Sequence, residues 1–283
     1  MPPSLTSTSP ASPFAEHHTQ YWQRGYTVIS GLYTSAQLDS FRRESERLWK
    51  VPGLDDDLNL RTEFRRDTQD TYVLDRLDPV LDLSPVLASA AMAPSLLEAL
   101  SALLGGRCAL LKCKLIRKDP GTRGYAPHQD FLYWRWLDAA PERLCSVAIS
   151  LFDTDERSGG IGFYPSQHQT LIPGPSGNPE GDCDIARLDT SISDVPLLKG
   201  GDVLVFHSLA PHFSGPNLGN FPRTVLLPSY CLTDEHGLYD RYYEREISRR
   251  CREMVGFERY FTRTTLLQRV PQGSVSVDFL SRS

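Results

Sequence analysis

The stretch Ala126-Pro127-His128-Gln129-Asp130-Phe131 sets an imidazole and a carboxylate two residues apart. It closes the alternating segment Leu111-Lys112-Cys113-Lys114-Leu115-Ile116-Arg117-Lys118. On an extended strand residues i and i+2 point to one face, so His128 and Asp130 are placed to share an ion. A lone His-x-Asp is a common tripeptide, and by itself it reads as a solvated strand end.

A second stretch changes that reading: Gly200-Gly201-Asp202-Val203-Leu204-Val205-Phe206-His207-Ser208-Leu209-Ala210-Pro211-His212-Phe213-Ser214, with Arg223 opening the next apolar run. Glycines and an aspartate start a strand, a proline-marked break ends it, and His212 follows. Two histidines and one carboxylate form the facial triad by which non-haem iron(II) is held with adjacent positions open. An arginine near such a site makes a two-pronged, charge-assisted pair with the far carboxylate of a 2-oxo diacid. His207 competes with His212, but it shares a strand face with Val203 and Val205 and reads as a packed strand histidine.

From Ala109 onward the pattern is one of short strands between Gly, Pro and Asp turns, at about 109–118, 145–152, 161–164, 196–198, 202–207 and 223–231. A run of helices precedes them. Thr34-Ser35-Ala36-Gln37 is a capping box, and Leu38, Phe41 and Leu48 follow on one helical face to about Lys50. Ser84-Pro85 and Pro94 mark further helix starts; Leu97, Leu100, Leu103 and Leu104 form a stripe that ends at Gly105-Gly106 and should pack across the outside of a sheet. Helices followed by many strands predict a mainly β fold, a double-stranded β-helix (jelly roll, cupin-like) core with flanking helices. The expected organisation is a disordered tail over 1–14 and a single domain over 15–283. Within it come a helical N-terminal part (15–106), the jelly-roll core (107–232) and a C-terminal helical extension (233–283).

These spaced motifs resemble the phytanoyl-CoA dioxygenase family of Fe(II)/2-oxoglutarate oxygenases. His128-x-Asp130, His212, and Arg223 with Ser214 between carry the resemblance. Tyr21-Trp22-Gln23-Arg24-Gly25-Tyr26 is similar to the family's N-terminal segment, and Ile161-Gly162-Phe163-Tyr164-Pro165-Ser166-Gln167-His168 to its middle strand. The chain departs from the family where Asn-Gly and Pro-Gly-Ser-His are usual, reading Ser158-Gly159 and Pro165-Ser166-Gln167-His168. The resemblance implies iron ligation by His128, Asp130 and His212, and 2-oxoglutarate held by Arg223, Ser214 and Lys114. It leaves His168 structural. Lys112, Lys114 and Lys118 share one strand face, and the resemblance puts Lys118 nearer the loop, where it is a candidate for substrate. In the aromatic run Phe131-Leu132-Tyr133-Trp134-Arg135-Trp136, Tyr133 and Trp134 are the candidates to wall a dry substrate pocket.

The implied activity is hydroxylation of an unactivated C–H of a small metabolite, an amino-acid derivative or natural-product intermediate. Oxygen and 2-oxoglutarate are consumed; succinate and carbon dioxide are released. Halogenases of this type leave the carboxylate position to Gly or Ala, whereas Asp130 is present. Two other readings stay open: a non-catalytic metal-binding jelly roll, and a metal-assisted hydrolase, which would need a general base in a pattern such as His-Glu-x-x-His that the chain lacks.

The 283 residues carry 40% hydrophobic and 23% charged side chains and a net charge of -5. That is ordinary globular composition, and the acidic balance speaks against a general nucleic-acid binder. Six cysteines without Cys-x-x-Cys spacing read as free thiols. The N-terminus has neither a basic start nor an apolar run, and no stretch looks long enough for a membrane span of roughly 18 residues. The expectation is a cytoplasmic monomer or homodimer acting on a small molecule. The 55–57 acidic cluster reads as a solvated turn and the 173–179 loop as a candidate lid. The Arg-, Glu- and Tyr-rich segment at 239–260 reads as a helical tail whose charges form a solvated face.

Overall fold

The computed structural model describes residues 12–52, 61–175, 182–233 and 236–253. The tail before residue 12, the 55–57 cluster, most of the 173–179 loop and the segment after residue 253 lie outside the described residues.

Among the described residues ten strands form two antiparallel sheets. They are β1 (Tyr26–Ile29), β2 (Thr62–Arg66), β3 (Tyr72–Leu77), β4 (Cys108–Lys118), β5 (Tyr125–His128), β6 (Leu144–Ser150), β7 (Ile161–Phe163), β8 (Val203–His207), β9 (His212–Ser214) and β10 (Arg223–Leu232). The large sheet runs β1-β8-β6-β10-β4-β3-β2 and the small one β5-β9-β7. Six α-helices accompany them among the described residues: α1 (Ala15–Arg24), α2 (Ser35–Leu48), α3 (Pro85–Ala91), α4 (Pro94–Leu104), the single turn α5 (Phe131–Trp134) and α6 (Leu238–Glu253).

The period-two pattern of the large sheet divides the core. Tyr26, Ile116, Ala148, Leu204, Phe206, Val225 and Leu227 face Phe163 of the small sheet. Their alternates, among them Leu111, Cys113, Leu115, Val147, Ile149, Val205 and Leu226, pack with the helices. Strands covered on both faces are apolar throughout, and β6 is buried at every position. Lys112, Lys114, Ile116 and Lys118 therefore fall on the inner face of β4, toward the small sheet.

The capping box at Thr34 forms with both reciprocal hydrogen bonds. In α4 Leu100, Leu103 and Leu104 are buried as expected, but Leu96 takes the buried place and Leu97 is half-exposed. The expected strand at 196–198 is absent. Leu198 makes only an isolated bridge to Thr154, as Asp194 does to Phe163 at the free edge of β7, and neither extends into a ladder. The N-terminal part is not purely helical: β1, β2 and β3 lie in it and supply both edges of the large sheet. Residues 85–104 are, by length and composition, apolar enough to cross a membrane, contrary to the reading of the sequence. Here they break into α3 and α4 and pack into the outer core. Cys108, Cys113, Cys145, Cys183 and Cys231 are free thiols.

Candidate metal centre and co-substrate pocket

The small sheet brings the two motifs together. β5 pairs antiparallel with β9 so that His128 stands opposite His212. This close approach requires Gly124, where a Cβ would meet the Ser214 carbonyl oxygen at 1.8 Å. The chain leaves the strand after His128: Asp130 has helical φ/ψ of -62° and -31° and begins α5. The carboxylate thus reaches the imidazoles through a turn, not through the strand alternation read from the sequence. Gln129 fixes that turn from behind, donating to the Thr170 and Leu209 carbonyls at 2.9 and 2.6 Å and accepting from the Ile172 amide at 2.7 Å.

His128, Asp130 and His212 each offer one donor atom, and these atoms lie within 4.8 Å of one another. Nδ1 of His128 meets the Ala126 carbonyl at 2.8 Å, and Nδ1 of His212 meets that of Ala210 at 2.9 Å. A proton on each Nδ1 leaves each Nε2 as a free lone pair, the tautomer a metal ligand needs. Burial lowers both imidazole pKa values, that of His128 to about 3, with His212 beside it as the second cause. Both are neutral at pH 7. Burial alone would raise the Asp130 carboxyl, yet His212, Lys114, His128 and Lys112 outweigh it and hold the group well below the usual range. Ser146 donates to its Oδ2. Two neutral imidazoles and an ionised, oriented carboxylate fit a divalent ion of the iron class.

Arg223 lines the same cavity, buried, with Nη2 on the Gly159 carbonyl at 2.6 Å. Its Nε has no hydrogen-bond partner among the described residues. A buried guanidinium N–H left open is a place for an anion's oxygen. Lys118 lies beside it, donating to Ser214 Oγ at 2.8 Å and the Gly215 carbonyl at 2.7 Å. Gly159, with φ of 72°, closes this end; a Cβ there would press on the Gly215 carbonyl oxygen and Lys118, each at 2.8 Å. Ser158-Gly159 thus keeps the glycine that the geometry demands.

Lys118 touches Ser214 beside Arg223, while Lys114 lines the cavity nearer Asp130, its pKa pushed down to about 7 by burial, Lys112 and Arg76. Tyr133 lines the cavity, but Trp134 does not. Trp134 is fully buried in the larger core cluster, behind Lys112, and Trp136 stands at the cavity instead. His207 is packed against Tyr21, Trp22 and His168 on the opposite side of β8 from the site. His168 is buried, with Nε2 on the Trp22 carbonyl at 3.2 Å.

Several residues of the site carry no signal in the sequence. Ser146 is one serine in a buried strand. Tyr125, whose hydroxyl donates to Asp75 and whose ring lies 3.5 Å from the Arg65 guanidinium, reads only as a strand aromatic. Tyr242, Arg245, Glu246 and Arg249 of α6 also line the cavity, on a helix read from the sequence as solvated.

A jelly-roll core with a two-histidine, one-carboxylate group facing a basic pocket defines a non-haem iron oxygenase. The chain belongs to the phytanoyl-CoA dioxygenase (PhyH) family, whose profile matches residues 21–225. It is thereby a dioxygenase dependent on iron and 2-oxoglutarate. It is 33% identical over 142 residues to methylphosphonate hydroxylase of Gimesia maris, a match covering 50% of this chain and about half, 52%, of that one. It is 24% identical to ectoine dioxygenase of Nocardia farcinica over 231 residues, 74% of this chain and 75% of the relative. The fold is similar to that of EctD from S. alaskensis crystallised with 2-oxoglutarate and 5-hydroxyectoine: TM-score 0.67, 21% identity, 82% of this chain and 80% of that one.

Proposed function

We propose that the protein hydroxylates a C–H bond of a small polar metabolite, an amino-acid derivative or natural-product intermediate, with release of succinate and carbon dioxide. In this reading His128, Asp130 and His212 hold iron(II), which when bound supplies the site where 2-oxoglutarate and oxygen are activated. The observation that carries it is the convergence of this donor set with the open Nε of Arg223 in one cavity of about 1020 Å³. A space of that size takes the co-substrate and a small second molecule together.

The chain's own residues have distinct tasks. The Ala126 and Ala210 carbonyls hold the imidazole tautomers, and Ser146 fixes the plane of the Asp130 carboxylate. Arg223, beside Ser214 and Lys118, binds the far carboxylate of 2-oxoglutarate and sets the position of its other end. Phe206, Ile161 and Leu227 give the cavity apolar walls that exclude water. Tyr133 and Trp136 wall the substrate side. The alternatives of a binding module and a hydrolase lose ground, since no donor is missing and Arg223 has no evident task in hydrolysis.

The test is an anaerobic titration of the iron-loaded protein with 2-oxoglutarate, followed by the weak visible band of a 2-oxo acid chelating iron(II). The band is the expected result. Its absence with iron demonstrably bound would overturn the reading.

A further inference from the structure

Lys112 and Lys114 are two cavity lysines away from the Lys118–Arg223 pair. They lie two residues apart on the inner face of β4, and both line the cavity. Lys112 is only 7% exposed. Its ammonium sits 5.8 Å from the ring centre of Trp134 and 5.5 Å from that of Tyr242, and it makes no hydrogen bond or ion pair among the described residues. Lys114 likewise has no hydrogen-bond or ion-pair partner among them. A buried ammonium is costly unless its three donors are met, and stabilising lysines are ordinarily paired or turned outward.

The carboxylates nearby are engaged elsewhere. Asp130 belongs to the metal group, Glu63 pairs with Arg76, Glu246 with Arg249, and Asp78 accepts from the Tyr243 hydroxyl at 2.6 Å. Asp182 reaches the cavity from an exposed loop position. Arg135 adds a further cation at the rim, with no hydrogen-bond or ion-pair partner among the described residues. This end of the cavity is therefore positive in a protein whose net charge is -5. It is also separate from the co-substrate end. Lys114 is four residues from Lys118, about 13 Å along the strand, and Lys112 about 20 Å; Lys118 is the register partner of Arg223.

We propose that Lys112 and Lys114 form a second anion site, which selects substrates carrying a compact terminal oxyanion, phosphonate, phosphate or carboxylate, and holds that end on the Asp130 side of the metal. This rests on the reading of the site as an iron and 2-oxoglutarate centre. The oxyanion takes donors from both ammonium groups, and the Trp134 and Tyr242 rings keep Lys112 in place. A neutral substrate would leave both ammonium groups unmet.

The test uses the anaerobic iron(II)–2-oxoglutarate complex of the full chain, titrated calorimetrically with ethylphosphonate, propionate and inorganic phosphate, and with the neutral propionamide and propanol. The visible chelation band is recorded for every protein. The expected result is binding of at least one oxyanion and of neither neutral probe. Lys112→Met and Lys114→Met should each weaken that binding at least tenfold, Lys114→Arg should largely keep it, and 2-oxoglutarate affinity should stay within about twofold. The arm that binds best, phosphonate and phosphate or carboxylate, names the oxyanion. Equal binding of neutral and anionic probes overturns the proposal. A loss of 2-oxoglutarate affinity that parallels the loss of probe binding, in variants with wild-type melting, also overturns it, since the lysines would then serve the co-substrate. A wild-type protein that binds iron but shows no band overturns the underlying reading and this proposal with it.

Discussion

Lys118 and Arg223 are register partners at the end of the β4–β10 ladder, and both donate to one carbonyl oxygen, that of Gly159, at 3.3 and 2.6 Å. Two buried cations at one acceptor repel. Burial first, and then Arg223, push the Lys118 pKa down to about 6, while burial also lowers that of Arg223. A carboxylate placed between them relieves the repulsion and fills the open Nε.

Replacement of Arg223 by Gln should therefore raise the 2-oxoglutarate concentration for half-saturation by about 10- to 150-fold, the equivalent of losing a charge-assisted interaction of about 1.5–3 kcal/mol. Anaerobic titration of the visible band measures it. An unchanged midpoint would assign the carboxylate to another residue.

His212→Ala and His207→Ala should separate cleanly. The first removes a metal donor and should abolish iron retention with little change in melting. The second should keep iron but lower stability by roughly 1–3 kcal/mol, because the Leu209 amide loses the ring nitrogen that accepts from it at 3.0 Å. Iron content and denaturant midpoints decide; the reverse pattern would exchange the two histidines' roles.

Ser146→Ala should leave the fold intact while freeing the Asp130 carboxylate to rotate. Loss of such a supporting hydrogen bond costs about 10- to 100-fold in metal affinity. Competition with a chelator reads this out. Wild-type affinity in the variant would show that α5 alone orients the carboxylate.

The buried histidines also set a pH dependence. His207 is pushed down to about 3 by burial and then by His168, and its Nδ1 accepts a hydrogen bond that protonation would break. The unfolded chain holds this proton at higher pH than the folded one, so the contribution is full above about pH 6.5 and is lost as pH falls toward 3. Lowering the pH from 7 to 5 should cost roughly 1–2 kcal/mol through this residue. In His207→Gln the melting temperature should fall less over that range; an equal fall would place the acid sensitivity elsewhere.

Much of the site was legible because its chemistry is carried by residue type and by local punctuation. The proline break before His212 separates it from the strand histidine His207, and His207 indeed packs on the far face of β8. Period-two alternation gave β4, β8 and β10 within two residues. β5 and β9 were missed because β5 has four residues and β9 three, too short for a period to show. The run at 196–198 had the composition of a strand, but only isolated bridges form there, at Asp194 and Leu198.

What the sequence by itself determined was the donor set, its order along the chain, the helix starts and the existence of a two-faced sheet, since all of these follow from local backbone preference and alternation. The tertiary structure alone decided which face became the cavity and which lysine met Ser214. It also decided that Trp134 was buried behind Lys112 and that α6 came to line the cavity. The physical reason is that periodicity assigns side chains to two faces without saying what covers either. Register and covering layer are set by packing between segments distant in the chain, such as β4 with β10 and β5 with β9, whose contact free energies no local pattern contains.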